Sequence, residues 1–457
     1  MLRLALCFTA LFLGIILNSL SLVGCGGINN DGDGGGGLQE GILAVINDGG
    51  TGPTISAGLQ ASTYSIEPLT GAVGLSLSRD SVLSPRPAPF DPDAALSDNI
   101  ARSSESQHLF VGQADFGSTP NGVVAFHVCC DSGDVTQTDT AQIDNTEPWH
   151  LHCHNGVVFA FESSSGDHVA SIPFDSNSGT FGSPNQYSLG ILRYSGWGPV
   201  FMGDYLYLIT FDLSVNWYIS YWPINYSNGT LGSRNDVPLL GMAASSGEVW
   251  MNGSENELVA LVTAGGQTQI VGAEVNGTTG EPTVLDVVTY AVANRPMAYQ
   301  LGWPLRAKGR WYVPTPPGPG NGFDRLQAFH FDGGSFTLDG SVGDITIPSG
   351  SLDIVTQFEY EDILYVLAND GFGNYRLSSV TLEDDGTVNN IQSALTSAAN
   401  PQPISFVRTG RHLVYYDSSS TLLSIMTSDL TSGTIAHIQN LPLPHSGFNA
   451  PMVILKQ

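Results

Sequence analysis

Residues 362–387 read DILYVLANDGFGNYRLSSVTLEDDGT: a strand, a Gly/Asn turn, a second strand, and an acidic turn closed by Gly386. Units of this kind recur from residue 41 onwards. Aligned on the leading apolar residue of one strand, they fall at Leu43, Leu109, Val157, Leu206, Leu258, Trp311, Leu364 and Leu413. After a first gap of 66 residues the spacing stays between 48 and 53. A strand–turn–strand unit repeated at this period cannot bury its own apolar face and must stack on its neighbours, which predicts a propeller or a similar array.

Each unit continues with a further apolar strand and then a tight turn. The turn glycine is Gly71, Gly133, Gly179, Gly229, Gly280, Gly334, Gly386 or Gly433, with Asp, Asn, Ser or Thr around it. That chemistry suits a chain reversal that needs positive φ. A more polar strand follows the turn. A short segment precedes each unit, such as 403–408 (PISFVR) or 147–152 (EPWHLH), and reads as the innermost strand. The first unit lacks one, because a glycine tether precedes Gly41. The C-terminal residues 449–456 (NAPMVILK) carry the same Asn, Pro, then apolar pattern. The expectation is an all-β chain: a β-propeller of eight four-stranded blades, with seven as the alternative. The C-terminal strand would pair in the first blade, closing the ring and hiding the sheet edges. Residues 84–98, with four prolines, read as a surface loop in the long first gap.

Only 12% of the chain is charged, yet the formal net charge is -27. A surface of that sign repels phosphates and offers no Lys/Arg cluster, so nucleic-acid binding is excluded. Residues 1–24 read as a signal segment: Arg3, then an apolar run over 4–22. Leu22-Val23-Gly24-Cys25 resembles the lipobox of bacterial lipoproteins, the alternative being an uncleaved signal anchor. The resemblance implies acyl chains on Cys25, a membrane anchor, and, with Gly26 and no Asp after the Cys, the outer membrane. Residues 25–40 are then a lipidated Cys and a Gly-rich tether, and 41–457 the propeller. Cys129, Cys130 and Cys153 remain, an odd number in an exported chain. One disulfide plus a free thiol is expected, Cys153 with Cys129 or Cys130, a vicinal 129–130 bridge being the rarer option.

The repeats LYVLANDGFGNYRLSSVTLEDDGTV and ILAVINDGG…LQASTYSIEPLTGAVG resemble those of YVTN-type and 6-phosphogluconolactonase-like (lactonase) β-propellers. The resemblance implies the propeller fold and a lactonase-type hydrolase with its site in the central funnel. Ala114-Asp115-Phe116-Gly117 is similar to the family's Ala-Asp-Leu-Gly segment, which marks Asp115. Ser118-Thr119-Pro120-Asn121 stands where the family has Asp-Arg.

The most unusual local pattern is Trp149-His150-Leu151-His152-Cys153-His154. Residues two apart on a strand face the same way, so His150, His152 and His154 share a side. They could chelate a transition metal, or pack between blades. Arg193, Arg295 and Arg306 lie at or before inner segments, and in so cation-poor a chain they could draw an anionic ligand to the channel. Trp217 should lie opposite Tyr218 and Trp222, with packing between blades as the use of the large aromatics. No catalytic elbow and no cofactor motif is found. The leading expectation is therefore a ligand-binding, protein-binding or scaffold module at the envelope, partnered by the membrane and by an envelope protein or a small ligand. The alternative is the lactonase.

Overall fold

The computed structural model describes residues 41–47, 60–66, 73–74, 80–82, 100–102, 108–113, 121–128, 135–143, 146, 148, 150–162, 167–190, 192–194, 199–242, 247–291, 304–315, 325–347, 353–360, 362–369, 375–395, 406–409, 412–417, 422–428, 432–442 and 452–456. The described residues contain strands and turns and no helix. They assemble into eight antiparallel sheets, numbered here in chain order. The signal segment, Cys25, the tether, the 84–98 insertion, Asp115, Cys129, Cys130 and Arg295 lie outside the described residues.

Each sheet is a meander, as the repeat predicts. The seventh has the order Asp353–Tyr360, Ile363–Asn369, Tyr375–Leu382, Val388–Leu395. The first sheet differs. Its strand Gly41–Asn47 lies between Gln60–Ile66 and the C-terminal strand Met452–Lys456, with Ile42 opposite Leu455 and Leu43 opposite Ile454. The edge strand of the eighth sheet, Phe406–Thr409, lies against Met452–Lys456 in turn.

Period-2 alternation decides which neighbour each side chain meets. In the third sheet, Val158 and Ala160 join Phe110, Val123 and Ala125 of the second. The intervening Val157, Phe159 and Phe161 join Leu206, Leu208 and Trp222 of the fourth. Trp217 points the other way, into the seam with Met251 and Leu258 of the fifth sheet. Trp250 and Trp311 fill the fifth–sixth seam, and Tyr312 meets Leu364 and Val366 in the sixth–seventh. Burial of each such side chain stabilises by roughly 1.5–3 kcal/mol, so the seams dominate the stability of the array.

The six expected turn glycines that fall in the described residues have φ between 68° and 83°. Their carbonyls are also used. Tyr207 donates its hydroxyl to the Gly280 carbonyl at 2.9 Å, and Tyr312 to the Gly386 carbonyl at 2.8 Å. Ser171 and Ser379 do the same to Gly229 and Gly433. Each of these bonds runs from one sheet to the turn of the next.

Cys153 departs from the favoured pairing with Cys129 or Cys130, while the rarer 129–130 bridge lies outside the described residues. Its thiol is free and 2% exposed, packed with Leu151, Ile143 and Val158 in the second–third seam. Alternation puts Cys153 on the apolar side of its strand, where a small thiol serves as core filler.

Candidate functional site

The strand His150–His154 pairs with Val157–Phe161 through a two-residue turn. Asn155 and Gly156 take φ of 46° and 72°, the positive pair a tight hairpin requires. The register sets His150 opposite Phe161, His152 opposite Phe159 and His154 opposite Val157. His152 and His154 therefore lie on the fourth-sheet side, away from Leu151 and Cys153, and the His150 side chain lies outside the described residues. The strand is an edge of its sheet, as an innermost strand would be.

His152 meets Phe161 and Phe201, with ring centres 5.8 and 6.0 Å away. His154 stacks on Phe201 at 5.1 Å and 17°, and Tyr226 lies 5.5 Å from it. Burial, then the neighbouring His154, pushes the His152 imidazole down to about 4. Burial lowers His154 as well. Both rings are thus neutral at pH 7 and form part of an aromatic seam.

Arg306 stands elsewhere, in the strand Leu305–Ala307 of the sixth sheet. Its guanidinium reaches Glu257 at 3.1 Å and Glu255 at 3.2 Å, both on the fifth sheet's hairpin. Glu257 also accepts the Trp311 indole N–H at 2.7 Å. The charge of Arg306 is therefore balanced across a seam. Arg193 lies in the short strand Arg193–Tyr194 of the fourth sheet. The structure brings His152 and His154 together, and sets Arg306 apart from them.

Sequence reasoning overlooked a second cluster on the third sheet. Glu162 ends the strand Val157–Phe161, and Asp167-His168 opens the next across a Ser/Gly loop. The Glu162 Oε2 accepts the backbone N–H of Asp167 at 2.7 Å and of His168 at 3.2 Å. The His168 Nδ1 lies 2.7 Å from Asp167 Oδ1 and 3.3 Å from Glu162 Oε1. Among the described residues, this is the group of three whose ligand atoms converge, within 4.8 Å of one another. It has two chemical uses. With Nδ1–H donated to the carboxylates, Nε2 keeps its lone pair and is a base. With that proton lost, one nitrogen and two oxygens could hold a divalent cation. The sequence signal is an acid five residues before Asp-His across a hairpin loop, readable only once the hairpin is known.

No family model and no curated protein matches the chain. Solved structures do. The periplasmic gluconolactonase PpgL of Pseudomonas aeruginosa is similar at a TM-score of 0.50 and 14% identity, over 90% of this chain and 99% of that one. Apo AztD of Citrobacter koseri is similar at 0.51 and 14%, over 91% and 98%. At such identities the likeness is one of fold, and that fold is a lactonase-like β-propeller.

Proposed function

From this propeller fold we propose a ring of eight blades, closed by the C-terminal strand on the first sheet and tethered to the bacterial envelope by lipid on Cys25. It serves there as a ligand- or protein-binding module. Closure is supported by Met452–Lys456 lying between the first and eighth sheets. The tether is supported by Leu22-Val23-Gly24-Cys25. Labelling cells with radioactive palmitate tests it: label is expected on the wild type and none on Cys25→Ser.

The observation that carries the binding reading is where the ionisable groups go. Arg306 is held by Glu255 and Glu257, Lys308 by Asp362 and Asp384, Arg310 by Asp339, and Arg325 by Asp344. His152 and His154 sit among aromatic rings. The Arg306 and Lys308 pairs join neighbouring sheets and the Arg310 and Arg325 pairs brace the sixth sheet itself, which leaves recognition to shape and neutral polar contacts.

A second reading, lactone hydrolysis, has its own support in the Glu162–Asp167–His168 cluster and in the name of the Pseudomonas structure. The His168 Nε2 would take a proton from water as the oxygen adds to the lactone carbonyl. The ring C–O bond would then break, and the proton would pass to the leaving alkoxide, giving the open hydroxy acid. A pH-stat assay of the purified full chain with gluconolactone separates the readings. Acid release no faster than in buffer supports the binding module. Release well above buffer that His168→Gln abolishes supports the hydrolase and overturns the binding reading.

A further inference from the structure

Two of the described seams share a device that the seam between the second and third sheets lacks. In the fourth sheet, Tyr205 and Tyr207 flank Leu206. A Cβ on Gly280 of the fifth sheet would collide with the Tyr205 ring, and Tyr207 ties the Gly280 carbonyl. In the sixth sheet, Arg310 and Tyr312 flank Trp311. A Cβ on Gly386 would lie 2.5 Å from the Arg310 Cδ, and Tyr312 ties the Gly386 carbonyl. In these two seams a bulky side chain fills the space under the next sheet's turn, and a phenol fastens the turn down.

In the second sheet the same two positions, flanking Leu109, hold His108 and Phe110. Phe110 has no hydroxyl to offer, and an imidazole is shorter than a tyrosine or an arginine. A Cβ on Gly179 of the third sheet would find its nearest neighbours, the His108 Nε2 and the Thr138 side chain, at 3.2 Å, farther off than in the other two seams. The shortfall leaves a cleft of about 520 Å³ between His108, His127 and Thr138 on one side and the turn 176–179 on the other.

The sixth sheet shows what ordinarily fills this register. His330, in the same Ala-Phe-His context as His127, follows Phe329, the partner of Trp311. Arg310 and Asp339 form an ion pair at 2.7 Å beside it. Among the described residues, the second sheet puts neither a cation nor a carboxylate into the cleft lining. Burial, then the neighbouring His127, pushes His108 down to about 4, so it is a neutral ring at pH 7. The lining offers two imidazoles, three hydroxyls and one carboxamide.

That set selects by exclusion. Among the described lining residues an anion meets no cation, in a chain of net charge -27, and a metal cation meets no carboxylate. The volume is also far larger than a coordination sphere. The Thr138 and Ser178 hydroxyls already donate, to the Ala125 carbonyl and to Asp175, and keep lone pairs that accept, while the Asn177 carboxamide both donates and accepts, which suits a ligand rich in hydroxyls. The volume is within the range of small-molecule pockets. The turn is also pre-set: Asp175 accepts from the Asn177 N–H and the Ser178 hydroxyl, and the Phe181 N–H reaches Asp139 at 2.7 Å. Asn177 and Ser178 are exposed at the mouth, while His108 forms a floor that is 4% exposed.

We propose that this cleft between the second and third sheets binds a neutral polyhydroxylated ligand of monosaccharide size. The site is separate from any central-funnel chemistry. Its test is calorimetric titration, with thermal melts, of the purified full chain against D-glucose, D-galactose, D-mannose and D-xylose at millimolar concentration. Sodium gluconate and zinc chloride serve as charged contrasts. At least one of the sugars is expected to bind saturably. His108→Tyr, which restores the filling residue of the fourth sheet, should weaken it about tenfold or more without lowering the melting temperature. Ser178→Ala, at the exposed mouth, should weaken it severalfold and keeps the test valid if the first variant fails to fold. Binding by none of the four sugars overturns the proposal. So does sugar binding that Ser178→Ala and a folded His108→Tyr leave unchanged, and so does binding of the charged contrasts alone.

Discussion

A histidine taken out of water holds its proton less tightly, because burial penalises the charged ring. His108 and His152 both show this, pushed from 6.5 to about 4 by burial first and by His127 or His154 second. In the unfolded chain both return to the ordinary value, so on acidification the unfolded state protonates before the folded one. Stability is therefore expected to fall as pH drops from about 6.5 to about 4 and then to level off for these groups. Urea midpoints measured across that window check it. His152→Phe, which keeps an aromatic ring against Phe161 and Phe201, should flatten the slope. An unchanged slope would mean that the ring titrates alike in both states. Much at this scale was readable in advance: alternation alone put His152 and His154 on one side and Trp217 opposite Trp222. The fate of Cys153 was not, since pairing of thiols depends on which seam a side chain enters.

At the level of the element, the unit of construction is a turn leaning on the preceding sheet. The phenol of Tyr312 is buried and its partner is the Gly386 carbonyl. Tyr312→Phe leaves that carbonyl without its donor and should cost about 1–3 kcal/mol, read from the denaturant midpoint at unchanged slope. Phe110→Tyr runs the other way and should raise the melting temperature if its hydroxyl reaches the Gly179 carbonyl. The turn glycines could be picked out beforehand, because positive φ has a residue signature. Their carbonyl partners could not, because those bonds join residues 73 and 74 positions apart on neighbouring sheets. The Glu162–Asp167–His168 cluster was hidden for a similar reason. Its three members come together only when two strands close across the intervening loop.

For the molecule as a whole, the spacing of apolar residues carried most of the fold. Eight aligned positions, from Leu43 to Leu413, lie in strands of eight successive sheets. Function was far less readable, because the same apolar positions that build sheets say nothing of what the loops between them bind. If the ring is closed by its last strand, removing residues 452–457 should expose the edge of Gly41–Asn47. The truncated chain is then expected to melt at lower temperature and to self-associate, measured by calorimetry and light scattering. A melt indistinguishable from the full chain would show that the strand adds nothing.

The strand Gly41–Asn47 has a partner on each side, Gln60–Ile66 and Met452–Lys456. A pull arriving through the preceding residues therefore runs along two ladders at once. Both must slide in shear together, instead of unzipping one rung at a time. The strand by which the chain enters the array is in this way held against a lengthwise pull by both of its neighbours at once.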